Sequence, residues 1–304
     1  MEFYCPKKNL PFRPIKNLDF PSEVQIQTHT TCNARCTMCP YALTYRHVEH
    51  GRITSELFRR LIDECAHHAD AVKNLKPFLM NEPLMDQRLP GFIRYARERL
   101  SQVNIGFSTN GQLLEGEMAE GLLDSGVTEI LVNFCGNTNE TYSSVMKGLS
   151  FSRVRQNVID FKNGIIRKGL GIQVYLSVVE TRSALVELEE TIAFWQQYGI
   201  KVITTPLNNR GGNVEGDELR VLGKIKDRRV CDRPFYKIYI AYNGDVILCS
   251  SDWRREIIVG NVVDKGIHGV WHSGRQKEIR ERLLARDFSE LPLCTNCDYV
   301  AIYE

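Results

Sequence analysis

No stretch of this 304-residue sequence is apolar over the length that a bilayer crossing requires. No run of Lys or Arg forms a block either. Arg59-Arg60, Arg228-Arg229 and Arg254-Arg255 are isolated pairs within a net charge of +2. These absences argue against a membrane partner and against a nucleic-acid partner. The N-terminal run MEFYCPKKNLPFRP lacks the basic-then-apolar order of a secretory signal, and no repeat or low-complexity segment stands out. Ten cysteines without such a signal suit metal ligation in a reducing compartment better than disulfides. A cytoplasmic metalloprotein is expected. The apolar fraction of 43% and charged fraction of 25% are ordinary for a globular protein. The length suffices for one large domain, or one with an appendage.

Three of the cysteines, Cys32, Cys36 and Cys39, form a Cys-x3-Cys-x2-Cys triplet in the run TTCNARCTMCP. Three thiolates in one tight loop suit an iron–sulfur cube and leave its fourth iron without a protein ligand. An open iron can bind and activate a small molecule. The alternatives are a zinc knuckle, for which His29 is the available fourth ligand, or buried thiols.

From about residue 22 to 206, short apolar runs alternate with helical patterns. Strands are expected at 24–28, 75–80, 102–107, 129–134, 172–178 and 200–205, and helices at 54–69, 89–100, 113–125, 151–168 and 183–198. Such alternation makes a parallel sheet with helices outside it. Six units, not eight, predict a partial barrel, with the cysteine loop leaving the C-terminal end of its first strand. Asn208-Asn209-Arg210-Gly211-Gly212-Asn213 has the composition of a loop or linker. Beyond it, Tyr236–Ile240 and Val246–Leu248 flank Asn243-Gly244, a hairpin signal. A polar helix over about 274–286 then precedes a Cys-x2-Cys, Cys294 to Cys297.

The triplet resembles that of the radical S-adenosylmethionine (SAM) superfamily, and further segments match in order. Met80-Asn81-Glu82-Pro83-Leu84 is similar to the family's Gly-Gly-Glu-Pro segment, with Met80 and Asn81 where glycines are usual. Ser108-Thr109-Asn110-Gly111 and Val132-Asn133-Phe134-Cys135-Gly136 stand at the next two strand ends. The resemblance implies a partial (βα)6 TIM-like α/β barrel in which SAM is chelated by the open iron. Met38 would pack against adenine, and Asn81, Glu82, Ser108, Asn110 and Asn133 would complete the SAM pocket. Cys231, Cys249, Cys294 and Cys297 resemble the SPASM/twitch extension, implying a second [4Fe-4S] cluster; a structural zinc is the alternative. The implied organisation is an arm at 1–21, a barrel at 22–210 and a C-terminal iron–sulfur extension at 211–304.

In this superfamily a SAM-derived radical abstracts hydrogen from unactivated carbon, and the step that quenches the product radical divides the candidates. Oxidation to a ketone needs an electron acceptor, for which the auxiliary cluster suffices. Epimerisation needs a thiol as hydrogen donor; Cys249 and Cys135 are the candidates, although a cluster-ligating Cys249 has no S–H to give. Peptide crosslinking is set aside, since a full SPASM extension and a peptide-recognition domain are absent. The expectation is a carbohydrate-acting epimerase of antibiotic biosynthesis, converting an aminoglycoside of the neomycin C type to the neomycin B type. A dehydrogenase of an aminocyclitol alcohol is the alternative, and a non-enzymatic iron–sulfur scaffold is the alternative from another class. The expected partners are an amino-sugar substrate and a flavodoxin- or ferredoxin-type electron donor. Glu23, Asp252 and Glu256 are the carboxylates placed to meet a polycationic substrate. Cys65 fits a helix's apolar stripe, Cys5 lies in the N-terminal arm, His29 just past the first strand is placed to face a substrate, and His67 and His68 have the pattern of surface residues.

Overall fold

The computed structural model describes residues 18–214, 225–228, 230–299 and 301–303. Cys5 and most of the N-terminal arm lie outside them. Six parallel strands run in chain order: β1 (Glu23–Ile26), β2 (Asn74–Lys76), β3 (Asn104–Thr109), β4 (Glu129–Asn133), β5 (Gln173–Glu180) and β6 (Lys201–Pro206). The first five contribute buried aliphatic residues to the core: Val24 and Ile26, Leu75, Ile105, Ile130 and Val132, Leu176 and Val178. Covering helices lie between them: α1 (Tyr41–Thr44), α2 (Ser55–His67), α3 (Leu89–Arg99), α4 (Gly116–Leu123), α5 (Asn139–Val145), α6 (Phe151–Lys168), α7 (Arg182–Val186) and α8 (Leu188–Gln196). No helix among the described residues is long and apolar enough to cross a membrane.

Helix α2 shows how local pattern becomes packing. Thr54 accepts from the Leu57 amide at 3.1 Å and starts the helix, and Phe58, Leu61, Ile62 and Cys65 fall on one buried face. Cys65 is thus a core residue, as its spacing predicts. His68 is more engaged than the sequence predicts: its ring stacks on Phe20 at 4.2 Å. The single helix expected over 183–198 is divided at Glu187. That carboxylate accepts from the amides of Asn137 and Thr138 and from the hydroxyls of Thr138 and Thr141. Helix α5, which the sequence reading does not contain, is capped by Thr138 and so belongs to the same knot.

The C-terminal extension does not sit apart from the barrel. Strands β7 (Ile225–Arg228) and β11 (Ala301–Tyr303) make a small separate ladder. Between them come β8 (Lys237–Ile240), β9 (Asp245–Ile247), β10 (Ile258–Asn261), α9 (Val262–Trp271), α10 (Gly274–Ala285) and α11 (Pro292–Thr295). The expected Asn243-Gly244 turn joins β8 to β9, with Gly244 at φ 90°. Strand β8 then lies parallel to β1, Val24 opposite Ile238 and Ile26 opposite Ile240, so one nine-stranded sheet runs β10-β9-β8-β1-β2-β3-β4-β5-β6. Helix α9 kinks at Gly266 (φ 67°, ψ 177°), and Glu64 of α2 accepts from the freed amides of Ile267 and His268, both at 2.8 Å.

Candidate active site

The chain leaves β1 into the cysteine loop, which neighbouring elements pin by backbone. Arg35 N donates to Lys147 O at 2.8 Å and Thr37 N to Val145 O at 2.9 Å, so α5 and its exit hold the middle of the loop. The Cys32 amide donates to the Tyr41 hydroxyl at 2.9 Å, and the Cys39 amide to Cys36 O at 3.1 Å. Desolvation raises all three thiols, Cys32 to about 12. Left to themselves they stay protonated; a metal bound by them would have to displace those protons. No three described cysteine sulfurs lie within 4.8 Å of one another.

The segments expected to form a SAM pocket converge on the same end of the sheet. Glu82 knits them: its Oε1 accepts from the Thr109 hydroxyl at 2.6 Å and from Leu84 N at 3.1 Å, and its Oε2 accepts from Asn110 N at 2.7 Å. Burial pushes this carboxyl up to about 7 against those hydrogen bonds. Asn110 donates to Asn33 Oδ1 at 2.7 Å, tying the third strand end to the cysteine loop, and Asn133 donates to Ser108 Oγ at 2.9 Å. Met38 is buried. Asn81 Nδ2 and Thr28 Oγ1 are buried without partners, as fits a pocket whose polar complement comes from a ligand. Cys135 is wholly buried, its thiol pushed up to about 12 by desolvation, with Cys36 among the thiols nearby.

His29 is not free to meet a substrate. Its Nδ1 engages the Thr31 hydroxyl at 2.8 Å and its Nε2 the Glu82 carbonyl at 2.9 Å, and burial lowers its pKa. The carboxylates proposed for a polycation are also largely committed. Glu23 pairs with Lys237 at 2.8 Å, and Asp252 accepts from the amides of Glu256 and Ile257, both at 2.9 Å; only Glu256 is exposed.

Cys231, Cys249, Cys294 and Cys297 line one cavity with Arg233 and Tyr299. They arrive from four places: ahead of β8, after β9, on α11 and just past it. Desolvation again raises Cys231, to about 12, and also Cys294 and Cys297. Cys249 Sγ accepts from Ser251 N at 3.2 Å. Arg210, in the segment the sequence marks as a linker, stands at φ 51° near Cys39, Arg233 and Asp298; burial lowers its pKa. An arginine inside a Gly-rich loop was the available signal for it. A second cavity adjoins Gln27, Tyr41, Met80, Trp253 and Arg255. Trp253 Nε1 is buried there and unpaired, while Arg255 donates to Gln27 Oε1 at 3.1 Å.

A family model described as the radical SAM superfamily matches residues 26–192, and one described as SPASM, an iron–sulfur cluster-binding domain, matches residues 231–298. The S-adenosyl-L-methionine-dependent 2-deoxy-scyllo-inosamine dehydrogenase of Niallia circulans is 21% identical over 92% of this chain and 94% of its own length. The cofactor-modifying protein of the tungsten-containing aldehyde ferredoxin oxidoreductase of Pyrococcus furiosus is 22% identical over 90% of this chain and 86% of its own. Among solved structures, BtrN in complex with AdoMet and 2-DOIA superposes with a TM-score of 0.62 at 19% identity, covering 92% of this chain and 93% of that one. Streptococcus suis SuiB bound to precursor peptide SuiA superposes with a TM-score of 0.67 at 17% identity, covering 86% and 67%.

Proposed function

This chain belongs to the radical SAM superfamily, and from that premise we propose that it is a dehydrogenase oxidising a secondary alcohol of an aminocyclitol to a ketone. SAM and [4Fe-4S] clusters are its cofactors. When bound they supply one-electron chemistry: removal of a hydrogen atom from an unactivated carbon, and a sink for the electron left behind. Cys32, Cys36 and Cys39 would hold the SAM-cleaving cluster. Met38, Asn81, Glu82, Ser108, Asn110 and Asn133 would hold SAM. Glu82 serves from behind, fixing the relative positions of the second and third strand ends. Cys231, Cys249, Cys294 and Cys297 would hold the second cluster, within the extension at 211–304. The free thiols suit a reducing compartment such as the cytoplasm, with a flavodoxin- or ferredoxin-type carrier as redox partner.

The observation carrying this reading is the four-cysteine cavity. An alcohol oxidation needs an electron acceptor, and four cysteines gathered around one space provide for it. The likeness over nearly the whole chain to a dehydrogenase supports the same choice over epimerisation. As a cluster ligand Cys249 carries no hydrogen to donate. Cys135 keeps the epimerase as a second reading, because its buried thiol stays protonated close to Cys36. Anaerobic turnover of an aminocyclitol panel in heavy water separates the two. A ketone free of solvent deuterium, formed one-for-one with 5′-deoxyadenosine, supports the dehydrogenase. An inverted product carrying deuterium refutes it, and the absence of deoxyadenosine would leave only a non-enzymatic scaffold.

A further inference from the structure

Arg233 has no role in the reading above, yet it occupies the four-cysteine cavity. It follows Cys231 by two residues and lines the same space as all four cysteines. Its Nε is buried with no hydrogen-bond partner. Its guanidinium carbon stands 3.3 Å from the centroid of the Tyr299 ring, so the planar group is held against that ring. A buried N–H left unpaired is costly and a buried charge costs more, so native structures rarely keep one without a purpose. Cys249 and Cys231 are among the groups that interact with its charge, as are the cations Arg210 and Lys237.

We propose that Arg233 sets the potential of the auxiliary cluster that the four cysteines would hold, its unpaired Nε–H being available to a cluster sulfur and its charge offsetting the cluster's own. The inference rests on the assignment of the four cysteines as cluster ligands. Each electron added to a thiolate-ligated cluster makes it more negative. A fixed cation in a poorly solvated cage therefore stabilises the reduced form more than the oxidised one and raises the potential. Hydrogen bonds to cluster sulfurs act in the same direction. The redox accounting shows why this helps. Oxidation of an alcohol to a ketone releases two electrons and two protons. One electron and one proton leave together as the hydrogen atom taken from carbon; the hydroxyl gives up the second proton to water. The second electron would go to the auxiliary cluster, when bound, and from it to a ferredoxin-class carrier protein. An acceptor held at a raised potential takes that electron and resists returning it.

The test is an EPR-monitored redox titration of the reconstituted protein, in a Cys32→Ala, Cys36→Ala, Cys39→Ala background so that one cluster gives the signal. Arg233→Lys, which keeps the charge, should lower the midpoint slightly. Arg233→Gln and Arg233→Met should lower it further, with iron content unchanged at about four per chain. Equal midpoints in wild type and Arg233→Gln at full iron content would overturn the proposal. Where Arg233→Met fails to retain iron, the Lys and Gln variants decide: Gln below Lys supports the role, and equal values refute it. A background protein that binds zinc or no metal would overturn the cluster assignment and the proposal together, before any Arg233 variant is made.

Discussion

Glu64 is a barrel residue that caps a helix of the extension, and its removal has a calculable effect. Its two carboxylate oxygens take the amides of Ile267 and His268 at 2.8 Å, where α9 breaks at Gly266. Arg60, one turn earlier on α2, donates to the carbonyls of Val262 at 3.3 Å and Val263 at 3.2 Å, so the two helices are clasped at two points. A hydrogen bond to a charged acceptor contributes about 1.5–3 kcal/mol when shielded. The Ile267 amide is partly buried and the His268 amide faces water, so Glu64→Ala should destabilise by about 2–4 kcal/mol. Gly266 adds an internal control. Its φ of 67° disfavours any side chain, and a Cβ there would stand 2.9 Å from Glu64 Oε1. Gly266→Ala should therefore cost more in wild type than in the Glu64→Ala background, where the opposing oxygen is gone. Urea unfolding of the reconstituted protein, followed by circular dichroism at constant slope, measures all four corners of the cycle. A Glu64→Ala midpoint equal to wild type, or a Gly266→Ala cost equal in both backgrounds, would refute the clasp.

Replacing Cys32, Cys36 and Cys39 together by Ala should remove about four irons per chain and abolish deoxyadenosine formation; SAM cleavage that persists would sink the ligand assignment. Reconstituted wild type should contain about eight irons per chain, whereas four irons with one tightly held zinc would return the second site to a structural metal. Glu82 should make stability fall with rising pH. Its folded pKa is raised from 4.5 to about 7, so its contribution is full below 4.5 and lost as pH rises through about 7. The loss is about 3 kcal/mol by the linkage constant, and urea midpoints across that window should show the decline flattening in Glu82→Gln. The same variant leaves the Asn110 amide facing an NH2 group, so at pH 5 it should be less stable than wild type by about 1–3 kcal/mol.

The parts of the site that were legible in the sequence are those encoded locally. The Cys32–Cys39 spacing is a property of eight consecutive residues, and each strand end is an apolar run followed by a polar segment. The Asn243-Gly244 turn has the same local character, because only a few residue types tolerate its backbone. What stayed hidden depends on polar pairings that apolar periodicity does not report. Nothing near Glu23 marks it as the partner of Lys237, and nothing near Asp252 shows that its acceptors face inward to the amides of its own loop. His29 looked available because neither neighbour of its ring nitrogens is adjacent in a way that periodicity reveals. Arg210 was lost for the opposite reason: loop-like composition conceals a buried residue at φ 51° whose charge interacts with Cys39, Arg233 and Asp298. Glu187 divided a helix that its apolar stripe continues through, because four hydrogen-bond donors from the α5 entry outweigh one more helical turn.

The parallel pairing of β1 with β8 also governs the order in which the molecule can be made. Val24 meets Leu75 on one side soon after it is synthesised, but it meets Ile238 on the other only when most of the chain exists. During that interval the strand leading into the cysteine loop has an unpaired edge, the form of β-structure most prone to recruit another chain. The loop-closure entropy of so long a connection grows slowly with length, yet contacts this remote in sequence slow folding. A chain ending ahead of β8 would therefore expose a bare strand edge beside the cysteine loop instead of presenting a smaller finished barrel. By the same reasoning the extension is not a detachable cassette, since any substitute for it must bring a strand in register with Glu23–Ile26.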